Sequence, residues 1–187
     1  MNQKQKILAH ICCAPDALYV VSLLQENYEV VGFFYNPNIH PPEEYQLRLQ
    51  EVKKVASHLN FELVEGPYDA DSWFRLTEKF KDEPEKGRRC HICYAWRLHQ
   101  TALLARERQI PLYTTIMSIS PWKSAEVLNR IGRMTGRQIG VAFLEANFKK
   151  KDGFRKSVLL SKQFGLYRQN YCGCLYSLRS QKQREIL

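Results

Sequence analysis

Six cysteines fall in three close pairs: Cys12 and Cys13 in "HICCAPD", Cys90 and Cys93 in "RRCHIC", and Cys172 and Cys174 in "YCGC". Adjacent cysteines are poorly placed to bridge each other, because a disulfide needs separated and correctly aimed Cβ vectors. A chain of 187 residues is long enough to bury a core and does not need a disulfide scaffold. Short spacing repeated three times reads as metal ligation, ahead of disulfide or dithiol redox chemistry and of inert buried thiols. Six thiolates exceed the four that one zinc ion or one [4Fe–4S] cluster takes. A cubane with four cysteine ligands leaves two thiols spare. A cubane with fewer, beside a separate metal ion, uses all six, and Asp16 can then serve as an oxygen ligand. A hard carboxylate among soft thiolates suits a second iron that also acts as a Lewis acid.

Each of these residues has a plainer reading. Asp16 can be a first-turn acid of the following helix. His10 and His91 lie near the thiols in sequence but read as packing or supporting residues rather than ligands. CxxC alone is common to zinc ribbons, thioredoxin-like sites and iron–sulfur sites. At the start of a helix, with Arg88 and Arg89 beside it, the Cys90–Cys93 pair is expected to have lowered thiol pKa values. Gly173 between two cysteines lets a loop fold tightly without a Cβ in the way.

The elements that must position these groups alternate. "QKILAHICC", "YEVVGFFYNP", "FELVEG" and "PLYTTIM" read as strands, and "VAFLEANF" as a fifth strand or an extended segment. Between them come helical patterns: "DALYVVSLLQEN" with Pro15 in its first turn, "PPEEYQLRLQEVKKVASHLN", and "SPWKSAEVLNRIGRMTG" closed by Gly136. A region from about 69 to 109 reads as two helices broken near Pro84 and Gly87, the first capped by Asp69 or Asp71; it can form a helical cap. After "KKKDG", "FRKSVLLSKQFG" is helical. Strand alternating with helix predicts an α/β, Rossmann-like parallel sheet with helices on both faces, in one domain spanning 1–187 with a helical insertion. Ligands of such sheets gather beyond the carboxyl ends of the strands. Cys12 and Cys13 occupy that place after the first strand, where a nucleotide-binding protein has a glycine-rich phosphate loop; "CCAPD" has no glycine.

The formal charge of +9 is uneven. Residues 149–187 hold ten Lys or Arg and two Asp or Glu, which makes almost all of the excess. Phe154, Phe164, Tyr167, Tyr171 and Tyr176 are interleaved there, a mixture that suits a phosphate backbone with stackable bases. The same charges also read as a solvated basic segment. "MNQKQK" and the short run after it, interrupted by His10 and Pro15, do not form a signal peptide, and nothing approaches the roughly 20 apolar residues of a membrane span. The expected address is the cytoplasm, with no membrane partner.

The three cysteine motifs, taken in order and together with "YNPNIHPPEEYQLRLQ", resemble the epoxyqueuosine reductase family of the QueH type, and the resemblance runs essentially end to end. It implies an adenine-nucleotide α-hydrolase-like fold without the ATP loop. It implies a [4Fe–4S] cluster with an extra metal ion, a mononuclear iron, nearby. The implied reaction is the two-electron reduction of epoxyqueuosine to queuosine at the wobble position of tRNAs with GUN anticodons, which also requires an electron donor. Cys12, Cys13, Cys90, Cys93, Cys172 and Cys174 would divide between cluster and iron, with Asp16 completing the iron site; Asp16, Cys12 and Cys13 are then expected at the reacting centre. The sequence does not divide the six further. Arg88 and Arg89 and the basic C-terminal segment are expected to grip the anticodon arm, and Tyr94, Trp96 or Trp122 to stack on a splayed base, although each aromatic also reads as core. The alternative is a zinc-stapled, basic tRNA-binding protein without redox catalysis; an ATP-dependent sulfurtransferase would need the missing glycine loop, and a dithiol oxidoreductase would need no metal.

Overall fold

A computed structural model describes residues 4–178. Strand β1 (Gln5–Ile11) is buried on both faces, as its continuous apolar run requires. It lies at the centre of a five-stranded sheet of order β3-β2-β1-β4-β5, with β2 (Tyr28–Phe34), β3 (Glu62–Glu65), β4 (Leu112–Thr115) and β5 (Ala142–Phe143). All pairings are parallel, with Ile11 beside Phe34 and His10 beside Thr115. The chain reverses its direction of travel between β1 and β4, which opens a crevice beyond their carboxyl ends.

Alternate residues of β1 serve two cores. Ile7, Ala9 and Ile11 pack with α1 (Ala14–Gln25) and α2 (Pro42–Leu59) on one face. Leu8 packs with α4 (Arg88–Glu107) and α5 (Ala125–Ile139) on the other. The sixth helix, α6 (Gly153–Gln163), packs against α1. The fold class expected from the sequence is therefore the one observed.

The region 69–109 divides. Helix α3 (Ala70–Thr77) is capped by Asp69, whose carboxylate accepts from Ser72 N at 3.0 Å. Helix α4 lies on the sheet as the crossover into β4, and its N-terminal part, with Trp73 of α3, meets the Cys172–Cys174 loop through the packing of Trp73, Cys93 and Cys174.

Helix α5 departs from expectation at both ends. It begins after Ser124, whose hydroxyl accepts from Val127 N, so 120–123 form a turn that reaches the crevice. It ends at Gly140, with φ +82° and its N–H on Gly136 O at 2.8 Å. Gly136 is inside the helix and is small for another reason: a Cβ there would sit 2.4 Å from Val141 O. A glycine needed for close approach reads, in sequence, like a helix stop.

Candidate metal centre

Cys12 follows β1, and Cys13 is the extended N-cap residue of α1 (φ −164°, ψ 158°). Pro15 occupies the first turn, where its missing N–H is no loss. Cys13 makes no side-chain cap bond. Instead the ligand atoms of Cys12, Cys13 and Asp16 lie within 4.8 Å of one another. The hydrogen bond from Cys13 is the main cause that brings the Cys12 thiol down to about 7, while the same bond and burial push Cys13 up. Burial raises the Asp16 carboxyl, opposed chiefly by Lys123. The Ser157 hydroxyl, tied to Pro15 O at 3.0 Å, touches Asp16 Oδ1 at 3.5 Å from α6.

Of the other four thiols, Cys90, Cys172 and Cys174 line one cavity and Cys93 packs against Cys174. Cys90, Cys93 and Cys174 each lie within electrostatic reach of Cys172. Burial, the largest influence, pushes Cys90 to about 11 and raises Cys93 as well. The expectation of lowered values from the helix start and its arginines is thus corrected: desolvation outweighs the Lys86 N–H and Arg89 at Cys90, and Arg97 at Cys93. Backbone N–H groups already point at these sulfurs, Lys86 N at Cys90 Sγ (3.3 Å) and Ser177 N at Cys174 Sγ (3.4 Å). Such a donor set, thiols met by N–H groups, fits an anionic iron–sulfur cluster.

Both groups open on one cavity of about 260 Å³, lined by Cys12, Asp16, Cys90, Cys172 and Cys174 among others. That is slightly below the ~300–1,000 Å³ of sites for drug-sized ligands, so it suits a single inserted group.

The C-terminal loop reaches the crevice because α2 holds it. Arg48 pairs with Glu44 at 2.7 Å, with the two side chains 2% and 11% exposed. It donates to Cys172 O (3.2 Å) and Tyr171 O (3.3 Å). His40 N donates to Gly173 O at 2.7 Å, and Tyr171 Oη donates to His40 O. Gly173 adopts φ +117°, and a Cβ there would meet Ile39 Cγ1 at 3.0 Å and Arg48 Nη1 at 3.1 Å. The expected need for glycine is met on both counts.

Several expectations shift. Arg89 is 3% exposed and donates to the carbonyls of Phe80, Lys81 and Glu83 with its plane over Tyr176, so it does not face a partner. Arg88 is exposed but paired with Glu83. Tyr167 donates to Glu44 and Tyr171 lies over Arg48, so these aromatics of the basic segment anchor the loop rather than offering stacking faces. Lys149 holds the 120–123 turn through Ser120 O and Lys123 O. Arg179, Lys182 and Arg184 lie outside the described residues. Tyr94 is buried on the cavity wall, and Trp96 Nε1 donates to Tyr35 Oη. Trp122 alone of the three is an open platform, 70% exposed at the cavity rim beside Lys86. His91 stands near Tyr94.

Sequence reasoning passed over Arg97, Lys123, Arg48 and Trp73. Arg97 Nη2 donates to Asn36 Oδ1 (2.6 Å), whose Nδ2 donates to Ile11 O (2.9 Å). Arg97 Nε lies 3.2 Å from His10 Nε2, which also faces Tyr35 O at 3.2 Å, while His10 Nδ1 faces Thr115 Oγ1 at 3.1 Å. Burial and Arg97 keep His10 neutral. Burial works against the Lys123 ammonium, but Cys172, Cys12 and Asp16 hold its pKa above the ordinary value. Arg97 was findable, since it follows Cys90 and Cys93 by seven and four residues on one helix face. Nothing in "PWK" marks Lys123.

A family profile described as "Epoxyqueuosine reductase QueH" matches residues 7–180. The relative of that name from Thermotoga maritima is 38% identical over 185 residues, covering 96% of this chain and 95% of its own. That from Acinetobacter baylyi is 38% identical over 180 residues, covering 95% and 83%. Among solved structures, the U34-tRNA thiolase NcsA from Methanococcus maripaludis, with its [4Fe–4S] cluster, superposes with a TM-score of 0.59. It shares 13% identity over 94% of this chain and 62% of that one, a likeness of fold alone. With three cysteine motifs gathered at one crevice and the profile spanning nearly every described residue, the chain belongs to the QueH family of epoxyqueuosine reductases.

Proposed function

We propose that this protein reduces epoxyqueuosine to queuosine at the wobble position of tRNAs with GUN anticodons, as a single cytoplasmic metal-cluster domain. Cys90, Cys93, Cys172 and Cys174 would hold a [4Fe–4S] cluster. Cys12, Cys13 and Asp16 would hold a mononuclear iron. The observation that carries this division is that Cys12, Cys13 and Asp16 bring their ligand atoms within 4.8 Å of one another, while Cys90, Cys172 and Cys174 line the same cavity as Cys12 and Asp16, and Cys93 packs against Cys174.

The reaction breaks both C–O bonds of the epoxide and leaves an alkene and water, taking up two electrons and two protons. When bound, the metals supply electrons, from a separate donor protein or reductant, and a Lewis acid for the epoxide oxygen. The chain's own part is positional. Asp16 and the Cys12–Cys13 turn are fixed by α1 and braced by Ser157. Lys123 offers N–H donors on the same wall, where an oxygen leaving the substrate can accept them. The cavity admits one base and excludes the rest of the anticodon arm, so the wobble nucleotide must be splayed out. Trp122 and Lys86, with Arg168 and Phe154 across the rim, then meet the neighbouring nucleotides.

A zinc-stapled tRNA-binding protein is not favoured, because its closed sites need ligands in fours. The test is anaerobic purification, with iron, zinc and acid-labile sulfide measured per chain and turnover of epoxyqueuosine-containing tRNA followed. The expected result is about four sulfides with more than four irons and formation of queuosine. Zinc without sulfide overturns the reading. Trp122→Ala is expected to weaken tRNA binding by roughly 1–3 kcal/mol, the worth of one base–aromatic stack, with Trp122→Phe retaining most of it.

A further inference from the structure

Arg97 is 2% exposed, and a buried guanidinium needs an answer to its charge. Its hydrogen-bond neighbours Asn36 and His10 are neutral, and no carboxylate stands among the charges that act most strongly on it. Arg97 lines the cavity together with Cys12, Cys90, Cys172 and Cys174 and follows Cys93 by four residues on α4. The charges that answer it are sulfurs, Cys93 first and then Cys12 and Cys172. The cation therefore lies between the two thiol groups, fixed by partners that do not cancel its charge. A second donor stands nearby. Trp73 Nε1 is buried without a hydrogen-bond partner among the described residues, and its ring packs with Cys93 and Cys174.

Resting on the cluster reading above, we propose that Arg97 and Trp73 are positioning residues that raise the reduction potential of the cluster held by Cys90, Cys93, Cys172 and Cys174. Reduction of a [4Fe–4S] cluster by one electron adds one negative charge within a low-dielectric site. A fixed cation, and an uncommitted N–H packed beside its sulfurs, stabilise that added charge. Arg97 also faces Cys12, so its charge bears on both metal sites and favours the state in which an electron waits beside the substrate.

The experiment is a dithionite titration of the full-length, anaerobically reconstituted protein, followed by electron paramagnetic resonance, in the absence of tRNA. Arg97→Gln is expected to lower the reduced-to-oxidised ratio at a fixed poise by at least about tenfold, which for one electron is ~59 mV. Arg97→Lys keeps the charge and is expected to fall between Arg97→Gln and the parent. Trp73→Phe keeps a ring and loses the N–H, giving a smaller shift in the same direction. Unchanged potentials in variants with parental sulfide content overturn the proposal. Should Arg97→Gln fail to hold a cluster, Trp73→Phe and Arg97→Lys decide alone. A parent protein without sulfide defeats the underlying cluster reading, a different result from a cluster whose potential does not move.

Discussion

Cys12, Cys13 and Asp16 stand at the end of a fully buried strand and in the first turn of a helix that packs on it, so the fold itself sets their places. Cys172 and Cys174 stand outside the strands, on an irregular loop held by Arg48 and His40. That loop is drawn in by one buried ion pair, a few side-chain bonds to its carbonyls and one glycine. Where the scaffold places a group, single substitutions nearby should alter chemistry and leave the fold intact. Where a tether places it, substitutions far from any thiol should empty the site.

The largest expected effect is chemical. Asp16→Ala should spare the four-thiol cluster, measured as sulfide per chain, while removing the second iron and cutting tRNA turnover at least ~100-fold, the upper range for even outer-shell changes at metal sites. A fully active Asp16→Ala enzyme would remove Asp16 from the reacting centre. Next is the tether. Arg48→Met leaves Glu44 buried without its partner and should cost about 3–5 kcal/mol in thermal unfolding, with sulfide content falling although Arg48 touches no sulfur. If sulfide stays at the parental level, the contrast between scaffold and tether fails. Gly173→Ala should cost about 1–3 kcal/mol through its left-handed backbone, again with loss of sulfide before loss of the iron at Asp16. The smallest effect is on pH. Burial pushes Glu51 up, but Lys54 and the Tyr167 N–H, at 2.9 Å, outweigh it and hold the carboxyl below its usual 4.5. A depressed acid stabilises the fold above its unfolded value and loses that contribution as pH falls through the folded one. Melting curves of Glu51→Gln should therefore fall less steeply below pH ~4.5 than those of the parent.

The same contrast separates what the sequence disclosed from what it withheld. The β1 run, Pro15 in the first helical turn and CxxC at a helix start are local patterns, and each stands where its pattern puts it. The placement of Cys172 and Cys174 at the crevice is not local: it depends on Arg48 reaching from α2 to carbonyls more than a hundred positions later. Lys123 reaches the cavity because α5 starts later than its periodicity suggests, at a serine cap. Arg88 and Arg89 look alike in the row, yet one is exposed and the other is consumed by three carbonyls. The interleaved tyrosines of the basic segment fit RNA by composition, but Glu44 and Arg48 engage Tyr167 and Tyr171 first.

The loop tied down by Arg48 also imposes an order on biosynthesis. A ribosome releases β1, α1 and the Cys12–Cys13–Asp16 turn early, and Cys90 and Cys93 midway, as a half-complete dithiol on a forming helix. Their two counterparts emerge only when nearly all described residues have left the exit tunnel. Until then the central pair is open to oxidation or to the wrong metal. On the proposed four-thiol reading, a cluster could be seated only after Cys172 and Cys174 have emerged, so the segment that Arg48 ties down would be the one that closes the vessel.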